Sequence, residues 1–493
     1  MEFLSTRGGA PCPDAAHAIV KGLSDNGGLF VPKTFPNIAD FIPKMLDMDY
    51  AERAAFVIGQ YLEEYDKSAL LSACKKAYAK FEDKDPAPVL KLDDRTFILE
   101  LFHGPTLAFK DIALTILPYL LRTGADIIGT KEHILVLVAT SGDTGKAALE
   151  GFKDQDGIKI NVFYPSDGVS DMQKLQMCTQ EGKNVNVVSV NGNFDDCQTA
   201  VKKIFSDKNI NAELKNKNVV LSSANSINFG RLVPQIAYYF SAYCDLVNAE
   251  EIKLWKKVDF TVPSGNFGNI LAGYYAKQMG LPIGKLVCAS NSNNVLTEFF
   301  MNGTYDANRE FFKTMSPSMD ILISSNLERL VFELSGRNAD ITKNRMSELK
   351  ISGKYSIDKS ETEKLEKDFF ADFCDEDECL NSIERTFNDF GYLADPHTAV
   401  ALKAAASYYA YGNSENKMVV LSTASPYKFT QSVLKAINGK AIKDPFKSAK
   451  LLEEETAAPV PPQISDLNKK TIRFNSVIDS EQTAKTVLDF ATR

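Results

Sequence analysis

Histidine and tryptophan are scarce: 493 residues contain four of the first and one of the second. So few imidazoles exclude a multi-histidine metal centre. The eight cysteines (12, 74, 178, 197, 244, 288, 374 and 379) include no Cys-x-x-Cys pair, and the two nearest, Cys374 and Cys379, have no histidine beside them. They read as reduced thiols rather than zinc ligands or a disulfide framework. No stretch approaches the roughly 18 unbroken apolar residues of a membrane span. The opening MEFLSTRGGAPCPD lacks the basic and apolar regions of a secretory signal, so a cytoplasmic location is expected. Basic residues are not in excess either. Fifty-six Lys+Arg against 64 Asp+Glu leave a net charge of −8, which argues against a non-specific nucleic-acid binder. An anionic ligand must therefore meet a local cluster of donors.

What is present is an ordinary globular composition, 44% hydrophobic and 24% charged, long enough for about three domains. The middle of the chain alternates apolar runs with helical patterns. Residues 133–140, 159–165, 184–190, 219–223, 258–264, 286–291 and 418–425 read as strands, and 144–153, 170–181 and 194–206 as helices. Continuous apolar strands alternating with helices predict an α/β fold with parallel sheets covered on both faces. Ligands in such folds bind beyond the carboxyl ends of strands, where turns lead into helices. Helices are also expected at 50–65 and 67–81. Residues 304–390 read as mostly helical and polar, with Asp375–Glu378 as a solvated helix start. The stretch 453–463, rich in Pro, Ala and Glu, reads as a linker or surface-hugging segment. No internal repeat is present.

Three turns at strand ends stand out. Thr140-Ser141-Gly142-Asp143-Thr144-Gly145-Lys146 offers hydroxyls and free backbone N–H groups at a helix start, suited to a carboxylate or phosphate. It is not a nucleotide P-loop, because Ala147 stands where Ser or Thr must hold magnesium and Thr140 where the first Gly belongs. An ordinary capped helix is the other reading. Pro263-Ser264-Gly265-Asn266-Phe267-Gly268-Asn269 lets the backbone approach a phosphate ahead of a helix, but is not a GxGxxG fingerprint. Ser422-Thr423-Ala424-Ser425-Pro426 either presents a hydroxyl to a crevice or caps the next helix. A fourth segment, Phe102-His103-Gly104-Pro105-Thr106-Leu107-Ala108-Phe109-Lys110-Asp111, places a lysine directly after Leu-Ala-Phe. Desolvation there lowers an amine's pKa and frees the neutral form that makes an imine; a surface lysine at a helix start is the alternative.

In this order and at these spacings, HGPTLAFKD, TSGDTG, NSINFGR (225–231), PSGNFGN and STASPYKF resemble the threonine synthase family, pyridoxal-phosphate (PLP) enzymes of fold type II, similar to tryptophan synthase β. Ser5–Gly8 and Gly22–Pro32 also look like the start of that family. The resemblance runs from about residue 5 to about 430. It implies two parallel-sheet α/β domains of PLP fold type II with an N-terminal extension and a C-terminal tail. The expected boundaries are 1–100 for the N-terminal domain, 101–224 for the smaller α/β domain, 225–440 for the large one and 441–493 for the tail.

The resemblance also implies residue roles. Lys110 would hold pyridoxal 5'-phosphate as a Schiff base and shuttle protons. Gly265, Asn266, Phe267, Gly268 and Asn269 would surround the cofactor phosphate, and Thr423 would meet the pyridine nitrogen. Ser141, Asp143 and Thr144 would meet the substrate's carboxylate or phosphate. Arg231, with Ser226, would clamp the substrate phosphate through its guanidinium fork, with Lys146 as a second candidate. The sequence departs from the family pattern at Asn269, where Asp is familiar, at Ser425 and Tyr427, where His and Ala are, and at Phe229-Gly230, where Trp-Ala is common.

The implied reaction converts O-phospho-L-homoserine and water to L-threonine and phosphate, by a monomer or homodimer without nucleic-acid or membrane partners. Its nearest rival is another enzyme of the same fold, such as a serine/threonine dehydratase or a cysteine synthase. Those do not need a second phosphate site, so Arg231 discriminates. A catalytically silent binding protein and a nucleotide-binding ATPase are the other classes, opposed by the intact Lys110 and by the defective P-loop.

Overall fold

The computed structural model describes residues 1–140, 142–167, 169–412 and 414–492, apart from the side chain of Asp195. Two sheets organise these residues. The larger has six strands in the order Phe369–Phe373, Ile283–Ser290, Val258–Pro263, Lys417–Ser422, Thr96–Glu100 and Val89–Lys91. All its pairings are parallel except the last, where Val89–Lys91 runs antiparallel along the edge. The smaller sheet has five parallel strands, in the order Val477–Ile478, Val185–Val190, Ile158–Pro165, His133–Ala139 and Val219–Ser223. The inner strands are buried along nearly their whole length, as expected of apolar strands covered on both faces.

Most of the expected elements form within a few residues of their expected limits. The helices at 50–65 and 67–81 end sooner, at Gly59 and Tyr78. Asp375 caps the helix Glu376–Phe390 in a reciprocal capping box, so the acidic run is a helix start. Several strands lie where none was expected. Among them, Thr96–Glu100 pairs with Lys417–Ser422 in the larger sheet, and Phe369–Phe373 forms an edge of that sheet within the region read as helical and polar. Five-residue strands present too few alternations for a periodic signal to emerge from their surroundings.

The last fifty residues differ most from expectation. Glu453–Thr456 continue a helix, Pro445–Thr456, instead of a linker. Leu452, Ile464 and Leu467 are buried against the helices covering one face of the larger sheet. The chain then crosses to the smaller sheet, where Val477–Ile478 adds a strand and Val487 and Phe490 enter the core. Arg473 fastens the crossing, with its guanidinium donating to the carbonyls of Gln180 and Gly182. The segment set apart as a tail thus contributes to both sheets' packing.

The N-terminal hundred residues pack on the long helix Phe229–Asn248, chiefly through Tyr50–Gly59, whose buried Arg53 pairs with Asp245 at 2.6 Å. This helix begins with Phe229-Gly230. A Cβ on Gly230 would lie 2.9 Å from Ile19 and Leu117, and Phe229 packs edge-on to Phe3 and Tyr61, so this departure from the family pattern serves packing.

A close approach of two helices helps to position the site. A Cβ on Gly151, in the helix Asp143–Phe152, would lie 2.0 Å from the carbonyl oxygen of Leu114, in the short helix Lys110–Leu114. Gly151→Ala therefore destabilises the protein by about 1–3 kcal/mol through overpacking. In a loosely packed helix the same change stabilises by roughly 0.5–1 kcal/mol. The sign of the shift in a urea-unfolding midpoint checks the contact; a rise contradicts it.

Candidate active site

Backbone hydrogen bonds bring distant segments together. The N–H of Phe109 donates to the carbonyl of Thr423 at 2.9 Å, and that of Ser425 to Leu107 at 3.1 Å. Ala108 and Ala424 form an isolated antiparallel bridge between them. Leu107 takes a positive φ of 60° to turn the chain into this pairing. The segment before Lys110 is thus laid along the end of the strand Lys417–Ser422.

The cavity beside this seam is lined by residues from all the turns singled out in the sequence. Lys110, Asp143 and Thr144 come from the starts of the helices Lys110–Leu114 and Asp143–Phe152. Ser226, Arg231, Gly265, Asn266, Phe267, Gly268, Asn269 and Thr423 complete it. Lys146 is not among the lining residues: its amine engages Glu150 and Gln180. Ser141 lies outside the described residues. His103 pairs with Glu100 at 2.8 Å.

Among the described residues, the polar contacts of the Lys110 amine are long, 3.5 Å to Asp143 Oδ2 and 3.4 Å to Ser318 Oγ. Burial pulls its pKa down to about 8, with Asp143 opposing and Lys428 and Arg231 assisting. Asp143 opens its helix and is itself buried. Burial works against its charge, yet Lys428 and Lys110 hold its carboxyl well below the usual range. Its Oδ1 lies 2.6 Å from Lys428 Nζ and 2.8 Å from Gln173 Nε2, and its Oδ2 accepts from Ser318 Oγ at 3.0 Å. This carboxylate therefore orders amines instead of meeting an anion through its side chain.

Anion-binding capacity comes from other residues of the same lining. Arg231 is 3% exposed, with Nη1 donating to the Ala224 carbonyl at 2.6 Å and Nε without any partner. No carboxylate pairs with it among the described residues. Burial lowers its pKa to about 10, against the pull of Asp111 and Tyr238. An unpaired guanidinium beside a cavity is suited to an incoming anion.

The glycine turn supplies a second anion cradle. Phe267 sits in the left-handed region, with φ 61°, just ahead of the helix Gly268–Gln278, which has no side-chain cap. Its first N–H groups are thus left for a ligand. A Cβ on Gly265 would lie 2.7 Å from the carbonyl oxygen of Ser318, so only glycine fits there. Asn269 accepts from Tyr238 and Tyr239 through Oδ1, while its Nδ2 is buried with no partner. At this position the amide leaves a spare donor where an aspartate would add a negative charge. These orphaned donors fit a phosphate group, and the adjacent low-pKa amine fits an aldehyde.

The other departures are also accommodated. Ser425 caps the short turn Pro426–Lys428, and the Tyr427 hydroxyl donates to the Ala458 carbonyl in the C-terminal segment. Sequence reasoning missed Lys428, Ser318 and His397. Lys428 lay within STASPYKF, where attention had fallen on Thr423. Ser318 lay in a region read only as helical and polar. His397 Nε2 accepts the Ser318 N–H at 3.3 Å, and Nδ1 lies 2.7 Å from Asp395; the sequence Asp395-Pro396-His397 reads locally as a helix cap.

Three family models match the chain: "Threonine synthase N terminus" over residues 2–78, "Pyridoxal-phosphate dependent enzyme" over 86–349 and "Threonine synthase, C-terminal" over 398–488. Among curated relatives, Threonine synthase-like 1 of Homo sapiens is 42% identical over 445 residues, covering 88% of this chain but 59% of that protein. The chain thus spans about three-fifths of the length of that relative. Threonine synthase of Pseudomonas aeruginosa is 38% identical, with 94% of this chain and 96% of the relative covered. Among solved structures, PLP-bound threonine synthase from Brucella melitensis has a TM-score of 0.88, at 36% identity and 100% coverage of both chains. The yeast threonine synthase structure has a TM-score of 0.87, at 35% identity, covering 99% of this chain and 98% of that one.

Removing the Arg231 guanidinium orphans no carboxylate, so Arg231→Met is expected to fold. It is predicted to weaken binding of inorganic phosphate by about tenfold or more, the loss expected for a hydrogen bond to a charged group. Calorimetric titration with phosphate checks this; unchanged affinity contradicts the assignment.

Proposed function

Because the chain belongs to the threonine synthase family of pyridoxal-phosphate-dependent enzymes, we propose that it converts O-phospho-L-homoserine and water to L-threonine and phosphate. The observation that carries the substrate assignment is Arg231, a buried guanidinium with a free Nε beside the same cavity as Lys110. A dehydratase or cysteine synthase acting on a substrate without phosphate has no need of it.

Lys110 would hold the cofactor through its amine. The turn Gly265–Asn269 and the helix start behind it would take the cofactor phosphate, with Asn269 Nδ2 as a ready donor. Thr423 also lines the cavity, just beyond the strand Lys417–Ser422, and is the candidate partner for the ring nitrogen. When bound, pyridoxal phosphate supplies an electron sink that eases loss of protons from the carbons of an amino acid attached to it.

The chain's own groups do the remainder. Once free, the Lys110 amine can take up or release a proton at Nζ near neutral pH, since its pKa is about 8. It is the base for the α-proton of the substrate and returns a proton at the end. Arg231 and Ser226 bind the substrate phosphate, and the guanidinium offsets negative charge as that phosphate departs. Thr144 and the backbone at the start of its helix are placed for the substrate carboxylate. Ser318 Oγ, between Lys110 and Asp143, orients the amine toward the cavity.

Phosphate release from O-phospho-L-homoserine tests this reading. Lys110→Ala is expected to lower the rate by at least about 10²–10⁴-fold, the range for loss of a positioned proton-transfer group. Equal turnover in wild type and variant contradicts it. Turnover of serine but not of O-phospho-L-homoserine favours the dehydratase reading instead.

A further inference from the structure

Lys428 is a second buried amine beside the cavity, and binding of neither cofactor nor substrate accounts for it. Its side chain is 0% exposed. Burying an ammonium is costly unless it is paired and hydrogen-bonded. Lys428 Nζ meets both conditions, at 2.6 Å from Asp143 Oδ1 and 3.0 Å from the Thr106 carbonyl. It thereby joins three segments: its own turn after the strand Lys417–Ser422, the loop before Lys110, and the start of the helix Asp143–Phe152.

Asp143 is shared unequally. Its short ion pair is with Lys428, whereas Lys110 stands 3.5 Å away on the other oxygen. A buried carboxylate facing Lys110 alone favours the protonated form of that nitrogen. Other charged groups around the pair are occupied elsewhere. Asp111 accepts from the N–H and hydroxyl of Thr106, and His397 is held by Asp395 and the Ser318 N–H. Arg231 approaches from the long helix and adds positive charge near Lys110.

We propose that Lys428 is a positioning residue for the Lys110 nitrogen: it neutralises Asp143, so that the carboxylate orients Lys110 and Ser318 without fixing a proton on Lys110. This rests on the reading of Lys110 as the cofactor-bearing lysine. It differs from a purely mechanical role, in which Lys428 merely ties three loops together, because it depends on the positive charge.

Visible-absorbance pH titration of the cofactor-loaded protein separates the two. Lys428→Gln retains a side chain able to donate to Thr106 and Asp143 but removes the charge. Its titration midpoint is expected to rise by about one pH unit or more, the effect of an opposite charge left uncompensated nearby. The acid limb of its kcat profile is expected to move the same way. Lys428→Arg is expected to stay near the wild-type midpoint. Lys428→Met, the more drastic change, should shift like the Gln variant if it folds; if it does not, the Gln and Arg variants decide. An unmoved midpoint in Lys428→Gln overturns the proposal. Peptide mapping of borohydride-reduced wild type distinguishes this from failure of the underlying reading, which requires the label on Lys110.

Discussion

A buried carboxylate shared by two lysines is the interaction on which the site depends. Asp143 meets Lys428 in a short ion pair and Lys110 at arm's length, with Ser318 and Gln173 satisfying the remaining directions. A buried ion pair adds little net stability relative to apolar packing, and breaking one side of it is expensive. Its value here is geometric and electrostatic. One amine is held in a short ion pair, while the other is loosely engaged and has a lowered affinity for protons.

That arrangement requires the fold to bring together segments far apart in the chain. The strand-like pairing of Leu107–Phe109 with Thr423–Ser425 fixes where Lys110 begins its helix. The contact of Gly151 with Leu114 sets how near the Asp143 helix can come. The left-handed Phe267 and the long helix carrying Arg231 leave donors unpaired at the same cavity. The cavity lining therefore combines amines balanced by a carboxylate with orphaned anion-binding donors.

Much of this was legible in the sequence. The parallel α/β architecture followed from apolar strands alternating with helices, and the turns at their carboxyl ends did converge on one cavity. Lys110 and the turn Gly265–Asn269 stood out by residue type and setting, whereas Arg231 came only through the family resemblance. What could not be read was pairing through space. Lys146 stood as a second candidate behind Arg231, and only the structure shows its Glu150 and Gln180 partners. Nothing local marks Lys428 as the counter-ion of a residue 285 positions away. The crossing of the C-terminal segment was illegible for the same reason: Val477–Ile478 is too short to signal a strand without the sheet edge it joins.

Three buried or nearly buried lysines stand near this cavity, and the account assigns the cofactor to only one. Lys146 and Lys428 are each committed to a carboxylate at 3.0 Å or less, whereas the hydrogen-bonding contacts of Lys110 among the described residues are 3.4 Å and 3.5 Å long. The most direct measurement is borohydride reduction of the cofactor-loaded protein, followed by proteolysis and mass spectrometry of the labelled peptide. The account predicts a pyridoxyl group on Lys110; a label on Lys146 or Lys428, or none at all, would contradict it.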